Sequence, residues 1–162
     1  MKNFILKGIS FVFHPLIMPL LGVLFYFSKT PRFIPEPVMK AKIFSIVILT
    51  IILPILLFFL LKTINKVNSI YLKSTKERLI PLFINCIIII LILIRVLTPS
   101  EIIELYYFFL GILCSTLVCF ILAIFKIKAS IHMIAAAGFF MFAVALGMHY
   151  HININGTIAL MM

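Results

Sequence analysis

The residues with chemistry to offer fall in two short polar stretches of an otherwise apolar chain. The first, 71–81, reads Tyr-Leu-Lys-Ser-Thr-Lys-Glu-Arg-Leu-Ile-Pro and carries Lys73, Lys76, Glu77 and Arg78. The second, 126–132, reads Lys-Ile-Lys-Ala-Ser-Ile-His. Together they hold what a phosphate group needs. Lys73 and Lys76 supply point charges, and Arg78 a planar fork that grips two oxygens at once. A helix starting near Thr75 adds backbone N–H groups at its N-terminus. Ser130 adds a hydroxyl. His132 gives or takes a proton near neutral pH, as the breaking of a phosphate ester bond requires. Taken singly, a cation between two membrane spans more often sits in water or against lipid headgroups. The combination is what singles out these two stretches as one anion site.

The elements that must position them are membrane helices. Of 162 residues, 65% are hydrophobic and only 11% charged, and the mean hydropathy is +1.32. A soluble domain is roughly half apolar. The class is therefore an all-α integral membrane helical bundle. There is no Asp, and Glu36, Glu77, Glu101 and Glu104 are the only acids. A formal charge of +10 raises the question of nucleic acid, but the Lys and Arg residues lie in loops between apolar runs, where they act as topology signals and headgroup partners. The expected partners are membrane lipids carrying phosphates or other anionic headgroups, with no nucleic acid. Cys86, Cys114 and Cys119 lie inside apolar runs and read as small hydrophobes, not as a disulfide framework or a zinc site.

The chain is expected to form a single transmembrane domain over 1–162, with about five spans near 11–27, 43–61, 82–97, 102–125 and 133–150. His14-Pro15 and Pro19 predict an irregular start to the first span, and the commoner role for such a His14 is an interfacial histidine satisfied by water or a carbonyl. Three prolines between 31 and 37 exclude a helix over 28–42. Pro54 predicts a kink in the second span. Ser74 and Glu77 fit a capping box, for a short helix that starts at Thr75 and stops before Pro81, which opens the third span. Arg95 snorkels to the interface. Thr98-Pro-Ser-Glu101 is a second capping box, turning into the fourth span with Glu101 and Glu104 in its first turn, where they complement the helix dipole. The fifth span is rich in small residues, and Ala143 and Gly147 form a close-approach face for a neighbouring helix, possible within an oligomer. Residues 157–162 resemble the first turns of a sixth span, cut short.

Two spans separate the polar stretches, so both face the same side. With the N-terminus and the 62–78 and 126–132 loops on that side, it holds nine Lys and Arg residues against five on the other. The positive-inside rule then puts the site in the cytoplasm. Without Lys73, Lys76 and Arg78, as ligand-binding cations, the count is six against five and sets no orientation. The expected location is multi-pass in a bacterial inner membrane.

Lys73-x-x-Lys76-x-Arg78-x-x-Pro81, followed two spans later by Ser130-Ile131-His132, resembles the first two motifs of the type 2 phosphatidic acid phosphatase family, six-span membrane enzymes that hydrolyse lipid phosphates and polyprenyl diphosphates without a metal. The resemblance covers roughly residues 70–140. It implies that Arg78 with Lys73 or Lys76 holds the phosphate, that Ser130 binds a phosphate oxygen, and that His132 protonates the leaving group. No metal and no cofactor are expected. Tyr71 stands where the family's first motif has Lys, Pro81 lies three residues after Arg78 instead of next to it, and Ile131 replaces a Gly. The family's third motif, with its nucleophilic His, has no counterpart. His149 and His151 follow His132 by 17 and 19 residues on one helix, more than about 25 Å away, and two histidines are too few for a metal site.

Three readings follow. One is a lipid-phosphatase-like protein lacking its C-terminal part. Another is a non-catalytic relative that binds anionic headgroups or partner helices. The third is a transport or channel subunit, against which stands the lack of a mid-membrane charge.

Overall fold

The computed structural model describes residues 14–64 and 75–151, the side chains of Thr75 and Lys76 excepted. Six α-helices occupy the described residues. They are α1 (Met18–Lys29), α2 (Glu36–Val47), α3 (Leu53–Thr63), α4 (Thr75–Arg95), α5 (Ile103–Ile124) and α6 (Ile131–Tyr150). A π-helical turn, Ile48–Ile52, joins α2 to α3 without a break. Four stretches are long and apolar enough to cross a membrane: Glu36–Thr63, Glu77–Arg95, Ile103–Ile124 and Ile131–Tyr150. The helix α1 is a shorter apolar one. Large apolar side chains such as Phe44, Leu56 and Met148 point outward, which in water would be untenable and in lipid is the rule. The molecule is an all-α membrane bundle. The proposed sixth span, the start of the first and the Ser74 cap lie outside the described residues.

Proline decides the local shapes. The chain turns at Pro15–Ile17, where the Ile17 and Met18 N–H groups bond to the His14 carbonyl, before α1 begins. Pro19 stands in the first turn of α1 and Pro37 in that of α2. A first-turn proline gives up an N–H that has no helical partner anyway. That is why α2 starts at Glu36, inside the stretch expected to be loop, with Glu36 and Lys40 paired one turn apart at 2.6 Å. Pro54 does disturb its span as expected. The turn before it widens so that Leu53 N–H reaches back to the Ile48 carbonyl, relieving the clash a proline makes with the carbonyl four residues earlier.

Two further sequence expectations give way. Pro81 does not separate a short helix from the third span, because α4 runs unbroken for 21 residues with Pro81 inside it. One lost backbone bond is tolerated where ending a helix in lipid would expose several. The second capping box does not form either. Thr98 carbonyl accepts the Glu101 and Ile102 N–H groups in a turn, and α5 starts at Ile103 without a side-chain cap. Glu101 turns away to pair with Lys42.

The core is lopsided. α4 and α5 form the most extensive pairing in the bundle. A large cluster, including Tyr26, Ile92, Leu97, Ile102, Leu105 and Phe109, fills the end where α1 stops and α5 starts. A small cluster, Leu82, Cys119 and Ala123, lies at the other end. Ala143 and Gly147 are buried inside this single chain. Their close approach is made between helices of one chain.

Candidate phosphate site at one end of the bundle

The two polar stretches meet. Arg78, near the start of α4, donates from Nη1 to the Ala129 carbonyl at 3.1 Å, across 51 residues of sequence. The α5–α6 turn is shaped to receive it. Lys126 takes a left-handed φ of 63°. Its N–H bonds to the Ala123 carbonyl, and that of Ile127 to the Leu122 carbonyl, the paired bonds of a Schellman C-cap. The chain then runs extended to Ser130, which holds the N-cap position of α6 with φ −85° and ψ 99° and makes no side-chain cap bond. Ser130 is exposed, and so is His132 in the first turn of α6. A cleft of about 10 Å³ opens between Arg78, Leu82, Cys119 and Ala129, room for a single water. A phosphate group would therefore sit on this surface and not inside it.

The structure thus brings Arg78 to the turn that carries Ser130 and His132. Lys73 and the side chain of Lys76 lie outside the described residues. One further residue arrives from the first span, where sequence reasoning favoured an interfacial role over a functional one. The His14 ring stands edge-on to that of His132, with centroids 5.5 Å apart. Among the described residues no group of three or more His, Cys, Asp or Glu side chains can hold a metal.

A second cleft, of about 70 Å³, is apolar. It lies between the two proline-bearing helices, lined by Pro54, Leu57, Phe58 and Leu61 on one side and by Pro81, Ile84, Asn85 and Ile88 on the other. Pro81 is three residues after Arg78, so this cleft starts about one helical turn along α4 from the guanidinium-bearing position.

Among the described residues the opposite end holds the most connected polar group, and sequence reasoning missed it. Glu104, its side chain only 9% exposed, pairs with Arg32 at 2.8 Å. It accepts the Tyr150 hydroxyl at 2.7 Å and the Tyr26 hydroxyl at 3.1 Å. Arg32 Nε donates in turn to Tyr150 at 3.0 Å, and these partners raise the Arg32 pKa. His149 Nε2 stands 3.8 Å from Glu104, so His149 belongs to this end and not to the one that carries Arg78 and His132. Nearby, Lys42 bridges Glu101 at 2.7 Å and the Val96 carbonyl at 2.7 Å. Counting spans was the available signal, since it already put Arg32, Glu104 and His149 on one side. No family model, curated protein or solved structure matches this chain.

Proposed function

We propose that the chain binds the phosphate of a membrane lipid at the end of the bundle where α4 begins and α5 turns into α6, in the manner of a lipid phosphate or diphosphate phosphatase. Arg78 and Ser130, with Lys73 and Lys76, bind the phosphate oxygens, and His132 carries the proton. The observation that supports this most is the Arg78 bond to the Ala129 carbonyl at 3.1 Å. It joins two polar stretches that the sequence keeps apart and puts a guanidinium beside the turn that ends in Ser130 and His132. The apolar cleft one turn along α4 suits a lipid ligand, because a hydrocarbon tail needs an apolar path next to its headgroup. Helical spans in place of a barrel suit a bacterial inner membrane. Membrane lipids are the partners in this reading.

Headgroup binding without turnover is the second reading. It is favoured by the position of His149 beside Glu104, which removes that histidine from the set able to serve as nucleophile. Phosphate release from phosphatidate and undecaprenyl diphosphate, by the purified chain in detergent without added metal, separates the two. Turnover that disappears in His132→Ala is expected of the enzyme. Folded protein that binds phosphatidate and releases no phosphate is the headgroup binder. Folded protein that does neither ends both readings.

A further inference from the structure

His14 belongs to neither polar stretch, yet it lies against one of them, edge-on to His132 at 5.5 Å and 87°. Its ring is held by its own turn, because the Leu16 N–H donates to Nδ1 at 3.3 Å. That bond uses the Nδ1 lone pair, so the proton of the neutral ring sits on Nε2. The result is an oriented, neutral N–H donor next to a second imidazole. Both are at the end of the bundle where Arg78 meets the Ala129 carbonyl. A guest that satisfies all three groups is an anion with several oxygens.

We propose that His14 is a second histidine of the phosphate site, its Nε2–H donating to an oxygen of the same lipid phosphate that Arg78 and His132 hold. The inference rests on reading this face as a phosphate site, and it makes His14 a binding and positioning residue. Its neutral Nε2–H, fixed by the Leu16 bond at Nδ1, donates without any change of protonation. Among the described residues, the other charged groups at this end are Lys62 at the end of α3, Glu77 and Arg78 on α4, and Lys126 and Lys128 in the α5–α6 turn.

The test titrates the full chain in detergent with dioctanoyl phosphatidate, with inorganic phosphate in parallel and dioctanoyl phosphatidylcholine as control. Wild type is expected to bind phosphatidate more tightly than inorganic phosphate. His14→Phe, which keeps a ring against His132 and removes the N–H donor, is expected to weaken phosphatidate binding about tenfold. Unchanged affinity in a folded His14→Phe overturns the assignment of His14 and leaves the site standing. Wild type that binds no phosphatidate overturns the site and the assignment together. Inorganic phosphate binding as tightly as phosphatidate overturns the lipid part. A wild-type footprint needs no variant: phosphatidate is expected to protect His14 and His132 together from carbethoxylation by diethyl pyrocarbonate. Protection of His132 with His14 still reactive overturns the proposal.

Discussion

The carboxylate of Glu104 accepts two tyrosine hydroxyls and an arginine within 3.1 Å. Tyr26 is wholly buried, so its hydroxyl has no water to turn to if that acceptor is lost. Arg32 is 44% exposed and can turn outward. Glu104→Ala should therefore destabilise mainly through the orphaned tyrosines, by about 2–3 kcal/mol, while Glu104→Gln, which keeps an acceptor oxygen, should cost less. Buried Cys86 and Cys119 allow the measurement by a thiol-reactive dye during thermal unfolding in detergent. An unchanged midpoint in Glu104→Ala would reduce the cluster to a surface feature. Glu101 behaves differently. Lys42 holds its carboxyl below the usual carboxylate range, by hydrogen bond and by charge. A lowered folded-state pKa means the fold prefers the ionised form. The Lys42–Glu101 contribution is then fully present above the unfolded carboxylate pKa of about 4.3, and is lost as pH falls through the lower folded value. Wild type should lose midpoint on acidification from about pH 5 to about pH 3 by more than Glu101→Gln does. Equal losses would show that the pair contributes nothing to stability.

At the scale of the elements, α1 and α5 approach through Gly22. A Cβ there would clash with the Phe108 ring. That ring cannot swing aside freely, because Phe142 of α6 stacks on it with centroids 4.2 Å apart and planes 25° from parallel. Gly22→Ala should thus cost about 1–3 kcal/mol by overpacking, despite the better helix propensity of alanine. Gly22→Ala combined with Phe108→Leu should recover part of the loss, and a Gly22→Ala midpoint equal to wild type would mean the helices part easily. This contact was invisible in the sequence, which marks Gly22 as one more small residue in an apolar run. Four of the expected spans were legible, because a hydrocarbon core demands about 20 apolar residues at a time and little else supplies them. The disturbance at Pro54 was legible for the same steric reason that produces it. The ends of α2 and α4 were not. Pro37 and Pro81 were read as breakers, whereas a first-turn proline costs no bond and an interior one in lipid costs less than ending the helix. Span parity put Arg78 and the second polar stretch on one face, and their contact came only with the fold. The arrival of His14 and the joining of Tyr26 to Glu104 across 78 residues were not, because tertiary proximity leaves no local periodicity to read.

Across the whole molecule, the two ends have different characters. One is tied by Glu104, Arg32, Tyr26 and Tyr150 over the large core. The other has the small core and the Arg78, Ser130 and His132 surface. The helix α5, 22 residues long, spans about 33 Å at the usual rise, enough to put these ends on opposite faces of a hydrocarbon core of about 30 Å. Each end is then built by the chain returning to the same face, after α1 and α4 at one and after α3 and α5 at the other. The threading has a direct consequence for labelling in sealed vesicles. Cysteines at Lys29 and Ser100, both exposed near the Glu104 end, should react with a membrane-impermeant thiol reagent from one side. A cysteine at Lys128, exposed in the turn beside Arg78, should react from the other. Native Cys86 and Cys119 are buried and Cys114 lies on the span α5, away from an aqueous reagent. Positions 100 and 128 labelling from the same side would mean that α5 does not cross. Positions 29 and 100 labelling from opposite sides would mean that α2–α3 and α4 do not form a returning pair, and the polar stretches would then lose the shared face on which a common phosphate site depends.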